Sequence, residues 1–162
     1  MAKTDDALLR EQLVAFLNGG QAHVRFSDAV ADFPANRIGE RPAGLPYSAW
    51  QLVQHIKITL RDLLEFATNP EYVELEWPGS YWPKEAAPGE DQSWEETVKA
   101  IQADLKSFEK LVHSPDSNLY ATIPWAKNGE TLLREVLLAA DHTSYHVGEL
   151  ILLRRVLGIW KS

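Results

Sequence analysis

The chemistry available to this chain starts with its histidines, of which there are five. His142 and His146 lie four residues apart, one helical turn, so both imidazoles project from one face. That spacing lets two ring nitrogens reach a single ion, as in helical His-x-x-x-His sites. The apolar residues Ala139, Leu150 and Leu153 flank them at helical spacing. The pair therefore aims at a bundle interior, away from the Asp141/Arg134 side. Two imidazoles in an apolar cleft need partners, because each unpaired buried polar group costs ~1–3 kcal/mol. One metal ion satisfies two of them at once. His55 is the third candidate. It borders the apolar stripe of its own helix, near Gln51, Thr59 and Asp62, which suits either a half-exposed surface histidine or a third ligand at a solvent-filled mouth. Three neutral nitrogens with open positions describe a catalytic metal site better than a closed structural one.

The remaining candidates read less sharply. His23 shares a stripe with Phe26, Val30 and Phe33, the pattern of a core or interface histidine more than of a ligand. His113 ends a helix, where an imidazolium suits the negative end of the dipole. Glu149 follows His146 by three residues and is placed to act as a general base or as a carboxylate that orients the imidazole. Trp77, Tyr81, Trp82 and Trp125 fall in connections. They either pin those connections to the core or roof a ligand pocket above the histidines.

The elements that must hold these groups are helical. Leu9, Leu13, Phe16 and Leu17 recur at helical spacing over about 5–18, and Gly19-Gly20 ends that block. A shorter block carries His23 to Phe33 and stops at Pro34, and 36–46 is a Gly/Pro-rich loop. Ser48-Ala49-Trp50-Gln51 matches a capping box opening a helix with Leu52, Val53, Ile56, Leu60, Leu63, Leu64 and Ala67 on its core side. Residues 70–92 are irregular but rich in aromatics, the mark of a functional rather than a disordered stretch. Ser93-Trp94-Glu95-Glu96 matches a second capping box, and Trp94, Val98, Ile101, Leu105, Phe108 and Val112 form the next amphipathic stripe. The last helix spans about 131–157 and is apolar nearly all round. Its second stripe, Leu133, Leu137, Ala140 and Ile151, needs a cover: the short block around Val30 or a second subunit. Four long helices without strand alternation predict an all-α four-helix bundle with long connections.

Composition narrows the function classes. A chain of 162 residues predicts a single domain, and 45% hydrophobic with 24% charged residues is ordinary for a soluble globular protein. The net charge is −7, with no more than two basic residues adjacent, which speaks against nucleic acid. No cysteine is present. That removes disulfides and any protein thiol nucleophile, and fits a cytoplasmic location. No apolar run approaches the ~20 residues of a membrane span, and the charged start of the chain does not read as a signal peptide.

Three segments resemble the DinB/YfiT-like family: Leu-Pro-Tyr-Ser-Ala-Trp-Gln-Leu-Val-Gln-His at 45–55, Thr-Leu-Leu-Arg-Glu-Val-Leu-Leu-Ala-Ala-Asp-His-Thr-Ser-Tyr-His-Val-Gly-Glu-Leu at 131–150, and Leu-Arg-Arg-Val-Leu-Gly-Ile-Trp at 153–160. Tyr-Trp-Pro at 81–83 belongs to the same likeness. The resemblance implies a DinB-like four-helix bundle holding a divalent metal through the residues that match, His55, His142 and His146. It also implies a homodimer, and it points to metal-dependent transferases or isomerases that use a low-molecular-weight thiol. Three functions follow from residues and resemblance together. One is a metal-dependent transferase whose thiol must arrive as a cosubstrate; the second is a metal-dependent hydrolase, with Glu149 as base; the third is a non-catalytic metal or small-ligand binding module. Three imidazoles accept zinc, nickel, cobalt or iron.

Overall fold

The computed structural model describes residues 4–90 and 92–160. The described residues are all-helical: α1 (Asp5–Asn18), α2 (Phe26–Val30), α3 (Ala49–Thr68), α4 (Trp94–His113) and α5 (Leu132–Val156), with a 3-10 turn at Ala35–Arg37. The caps follow the sequence. Thr4, Ser48, Ser93 and Thr131 each accept a backbone N–H from the first turn of the helix they precede, as short hydroxyl side chains do best. At Ser48 the reciprocal Gln51 bond completes the capping box. At Ser93 the hydroxyl half forms, to the Glu96 N–H.

Cross-helix contacts give the directions. Gln54 bonds Thr97 (2.9 Å) and Arg61 pairs with Asp104 (2.5 Å), so α3 and α4 ascend together. His55 meets His142, while Asp62, seven residues on, lines one cavity with Glu135, seven residues back. Helices α3 and α5 are therefore antiparallel. Arg10 in α1 reaches the Val112 carbonyl at the end of α4 (2.6 Å), whereas Leu17 shares a cavity with Gln102 and Leu105, which makes α1 and α4 antiparallel. Two adjacent long helices run the same way. That is why the 69–93 connection is long: it must return the chain along the bundle.

The core is built from the predicted stripes. Leu52, Val53, Ile56 and Leu60 of α3, Ile101, Phe108 and Val112 of α4, and Val136, Ala139, Leu150 and Leu153 of α5 are all fully buried. The second stripe of α5 is only partly covered. Ala140 and Ile151 are buried, with α1 and α2 packing on α5, whereas Leu137 remains exposed. The short block behaves differently from its pattern. Arg25 caps α2, so the helix starts after His23 and ends at Val30. His23 is exposed, its ring bonded to the neighbouring Val24 carbonyl. The expectation of a core histidine is corrected: the chain bends between His23 and Phe26, which breaks the stripe. Among the described residues no helix is long and apolar enough to cross a membrane.

Candidate metal centre

The site begins with how the 81–87 segment is docked on the start of α3. Ser48 Oγ donates to the Ala86 carbonyl at 2.5 Å, and Gln51 Nε2 donates to the Pro83 carbonyl at 2.9 Å. Gly39 permits the same approach from the other side, because a Cβ there would fall 2.6 Å from that of Ala87. Residues that cap α3 thus also anchor the irregular connection. This places Trp82 flat on the His55 ring, with centroids 3.9 Å apart and planes within 7°. Tyr47 also stacks on Trp82, with ring centroids 5.7 Å apart and planes within 19°. His55 is buried, at 4% exposure. The surface reading of this histidine is corrected by residues some thirty positions further along the chain.

The partners of each ring define its proton. The Tyr81 carbonyl, an obligate acceptor, lies 2.9 Å from His55 Nδ1, so that nitrogen carries the hydrogen and Nε2 presents a lone pair. Glu149 Oε2 lies 2.6 Å from His146 Nδ1 and does the same there. Burial first, and then the nearby Glu149 carboxylate, push the pKa of the Tyr47 hydroxyl well above its ordinary value. His142 Nε2 sits 3.1 Å from both His55 Nε2 and His146 Nε2. The three rings therefore converge on one point, and together they form a group that can hold a metal ion. Two nitrogens bound to one ion at ~2.0–2.1 Å are about 2.9–3.4 Å apart for octahedral or tetrahedral angles, and 3.1 Å falls within that range. The donor set fits a divalent cation, because lone pairs facing one another repel until a cation or a shared proton lies between them.

Electrostatics agree with that reading. Burial lowers the pKa of all three histidines, in His142 down to about 3, and the neighbouring imidazoles add to its shift. In His146 burial outweighs the opposing pull of Glu149. Neutral imidazoles are the form that binds metal.

Residues 20–150 match the DinB superfamily. The chain belongs to the DinB superfamily. No curated protein and no solved structure matches it. For this DinB-superfamily chain the structure brings together His55, His142 and His146, with Glu149 against the last of them. It leaves His23 and His113 exposed, and neither joins the group. The loop aromatics divide between their two readings. Trp82 packs on His55; Tyr81 meets His55 through its backbone carbonyl while its hydroxyl donates to Asp62; Trp125 pins its connection through a 2.7 Å bond to the Phe66 carbonyl; Trp77 is 72% exposed. Tyr47 and the Tyr81 carbonyl were missed as site groups. Tyr47 directly precedes the Ser48 cap, a position that fixes it beside the start of α3, while nothing in the sequence marks a backbone carbonyl.

Proposed function

We propose that His55, His142 and His146 bind one divalent metal ion and that the chain is a metal-dependent transferase acting with a low-molecular-weight thiol. The observation that carries this reading is the convergence of three Nε2 atoms, with the opposite ring nitrogens of two of them tied, at His55 and His146. Zinc, nickel, cobalt and iron all accept such a set. The ion supplies Lewis-acid chemistry, lowering the pKa of a thiol presented to it from its free value of ~8.5. The residues do the rest. Tyr81 and Glu149 fix two rings in the tautomer that exposes Nε2, and such partners raise ligand basicity. Trp82 covers the His55 face and excludes water, so the attraction between cation and anion is less screened there. The chain has no cysteine, so the thiol comes from solution.

Glu149 separates this reading from the hydrolase. A general base must be free to take a proton from water, and this carboxylate already accepts from the His146 ring at 2.6 Å. The positioning role suits it better. Cobalt-substituted protein provides the test: a cellular thiol adds a charge-transfer band in the near ultraviolet, and Trp82→Ala weakens that binding. Absence of the band with every common thiol, alongside turnover of a hydrolysable substrate, favours the hydrolase; inertness to both favours a binding module.

The proposal extends to a homodimer in the cytoplasm. Leu137, Tyr145, Leu152 and Val156 expose a stripe along α5, and Phe16 of α1 borders Leu133 and Leu137. Apolar patches of that kind mark interaction surfaces.

A further inference from the structure

The irregular connection between α3 and α4 meets His55 through one backbone atom, the Tyr81 carbonyl, at 2.9 Å from His55 Nδ1. A carbonyl outside helix and sheet has no ladder of neighbours to fix its position. Its local support is a turn, in which the Tyr81 N–H donates to the Pro78 carbonyl at 3.2 Å and the Ser80 N–H to the Glu76 carbonyl at 3.0 Å. Those bonds shape the turn without fastening it to the bundle. The side chain of Tyr81 does the fastening. It is buried, and its hydroxyl donates to Asp62 Oδ2 at 2.6 Å. Asp62 follows His55 by seven residues, two turns of α3 and a rise of ~10.5 Å along the same face. One residue of the connection thus grips α3 at two levels, with its carbonyl at His55 and its hydroxyl at Asp62.

The same carboxylate holds a second tyrosine. Tyr72 donates its hydroxyl to Asp62 Oδ1 at 2.8 Å, and its ring meets Phe66 with centroids 5.2 Å apart. Both oxygens of Asp62 are therefore taken by phenol hydroxyls from the connection. Bonds to an ionised acceptor are shorter and stronger than neutral ones, and 2.6 Å lies in the range for O–H···O⁻. Trp82, which stacks on His55, follows directly. It is held between the Tyr81 bond to Asp62 on one side and the Gln51 bond to the Pro83 carbonyl on the other.

We propose that Asp62 is a positioning residue for the metal centre: by anchoring the Tyr81 side chain it keeps the Tyr81 carbonyl on His55 Nδ1, and so leaves the His55 lone pair on Nε2. Without a fixed acceptor the imidazole proton can occupy either ring nitrogen. Tyr72 shares the carboxylate but steadies the other end of the connection. The benefit to metal affinity rests on the metal reading above; the effect on the His55 proton does not.

Variants of the metal-free protein test this, read by Tm and by the His55 ring nitrogens in long-range proton–nitrogen NMR spectra. Wild type should show the Nδ1–H tautomer. Tyr81→Phe keeps the ring and the carbonyl and removes the bond to Asp62, so it should shift His55 toward a mixture of tautomers. Asp62→Ala should do the same, and should add no further His55 change once Tyr81→Phe is present. Tyr72→Phe removes a similar bond from the same carboxylate; it should lower Tm comparably and leave the His55 tautomer as in wild type. If Asp62 serves stability alone, the His55 spectrum stays unmoved in every variant or moves equally in the two Phe variants. Either result overturns the proposal, as does wild-type His55 without a dominant Nδ1–H form. Should Asp62→Ala fail to fold, the contrast between Tyr81→Phe and Tyr72→Phe decides by itself. Zinc affinity, measured by chelator competition, should fall about 10-fold in Tyr81→Phe and stay near wild type in Tyr72→Phe. Unchanged affinity in Tyr81→Phe overturns the positioning of the metal centre. Failure of wild-type protein to bind zinc would instead refute the metal reading and leave the His55 spectra to decide the anchor.

Discussion

His55 and His146 carry their ring protons on Nδ1 because a carbonyl and a carboxylate leave them no alternative. Removing one of those acceptors has a predictable effect. Glu149→Gln should weaken metal binding by roughly 10–100-fold, the usual range for a partner that orients a ligating imidazole, measured by competition with a chromophoric chelator. His113→Ala, at the exposed end of α4, should leave affinity unchanged in the same titration. Burial also makes the triad sensitive to acid. Unfolded histidines titrate near ~6.5, whereas His142 in the folded chain titrates at about 3. Between those values the unfolded state binds more protons, so stability of the metal-free protein rises with pH and is lost as pH falls below 6.5. For His142 alone the loss from pH 7 to pH 5 is roughly 2 kcal/mol. Urea midpoints of metal-free protein at the two pH values measure it, and equal midpoints contradict the burial. The pairing of His142 with His146 was legible from their spacing. The depth of His55 was not, since the side chain that buries it, Trp82, arrives through an irregular segment without periodicity.

At the scale of elements, the start of α3 carries two duties. Ser48 accepts the Gln51 N–H as a cap and donates its own hydroxyl to the Ala86 carbonyl. Ser48→Ala should therefore cost more than a cap alone, about 1–2 kcal/mol, seen as a lower urea midpoint. It should also loosen Trp82 from His55, seen as a change in tryptophan fluorescence. A change confined to stability would show that the 81–87 segment docks without this bond. The four long helices were legible because their stripes and hydroxyl caps agree. The short block misled for a physical reason. Phe26, Val30 and Phe33 are buried as their spacing suggests, but burial of Phe33 comes from a ring contact with Trp94 and from the buried Arg154 guanidinium, not from a continuing helix. His23 lies outside the helix and inherits none of that burial.

For the whole molecule, the parallel run of α3 and α4 set against antiparallel α5 makes the long aromatic connection necessary, and that connection closes over the histidines. Loop length alone could not order the helices, because three of the connections are long. The contacts that do so, Gln54 with Thr97 and Arg61 with Asp104, are polar pairs invisible to a hydrophobic pattern. The exposed α5 stripe predicts a homodimer in multi-angle light scattering at micromolar concentration, and Leu152→Glu with Val156→Glu should convert it to monomer. An 18 kDa species throughout the concentration range would contradict that. At the centre of the molecule, His55, His142 and His146 are proposed to bind one divalent ion. Elemental analysis of protein purified without an affinity tag tests it most directly. One ion per chain is expected in the wild type, with loss of that ion from the His142→Ala/His146→Ala double variant. Equal metal content in the two proteins would contradict the account.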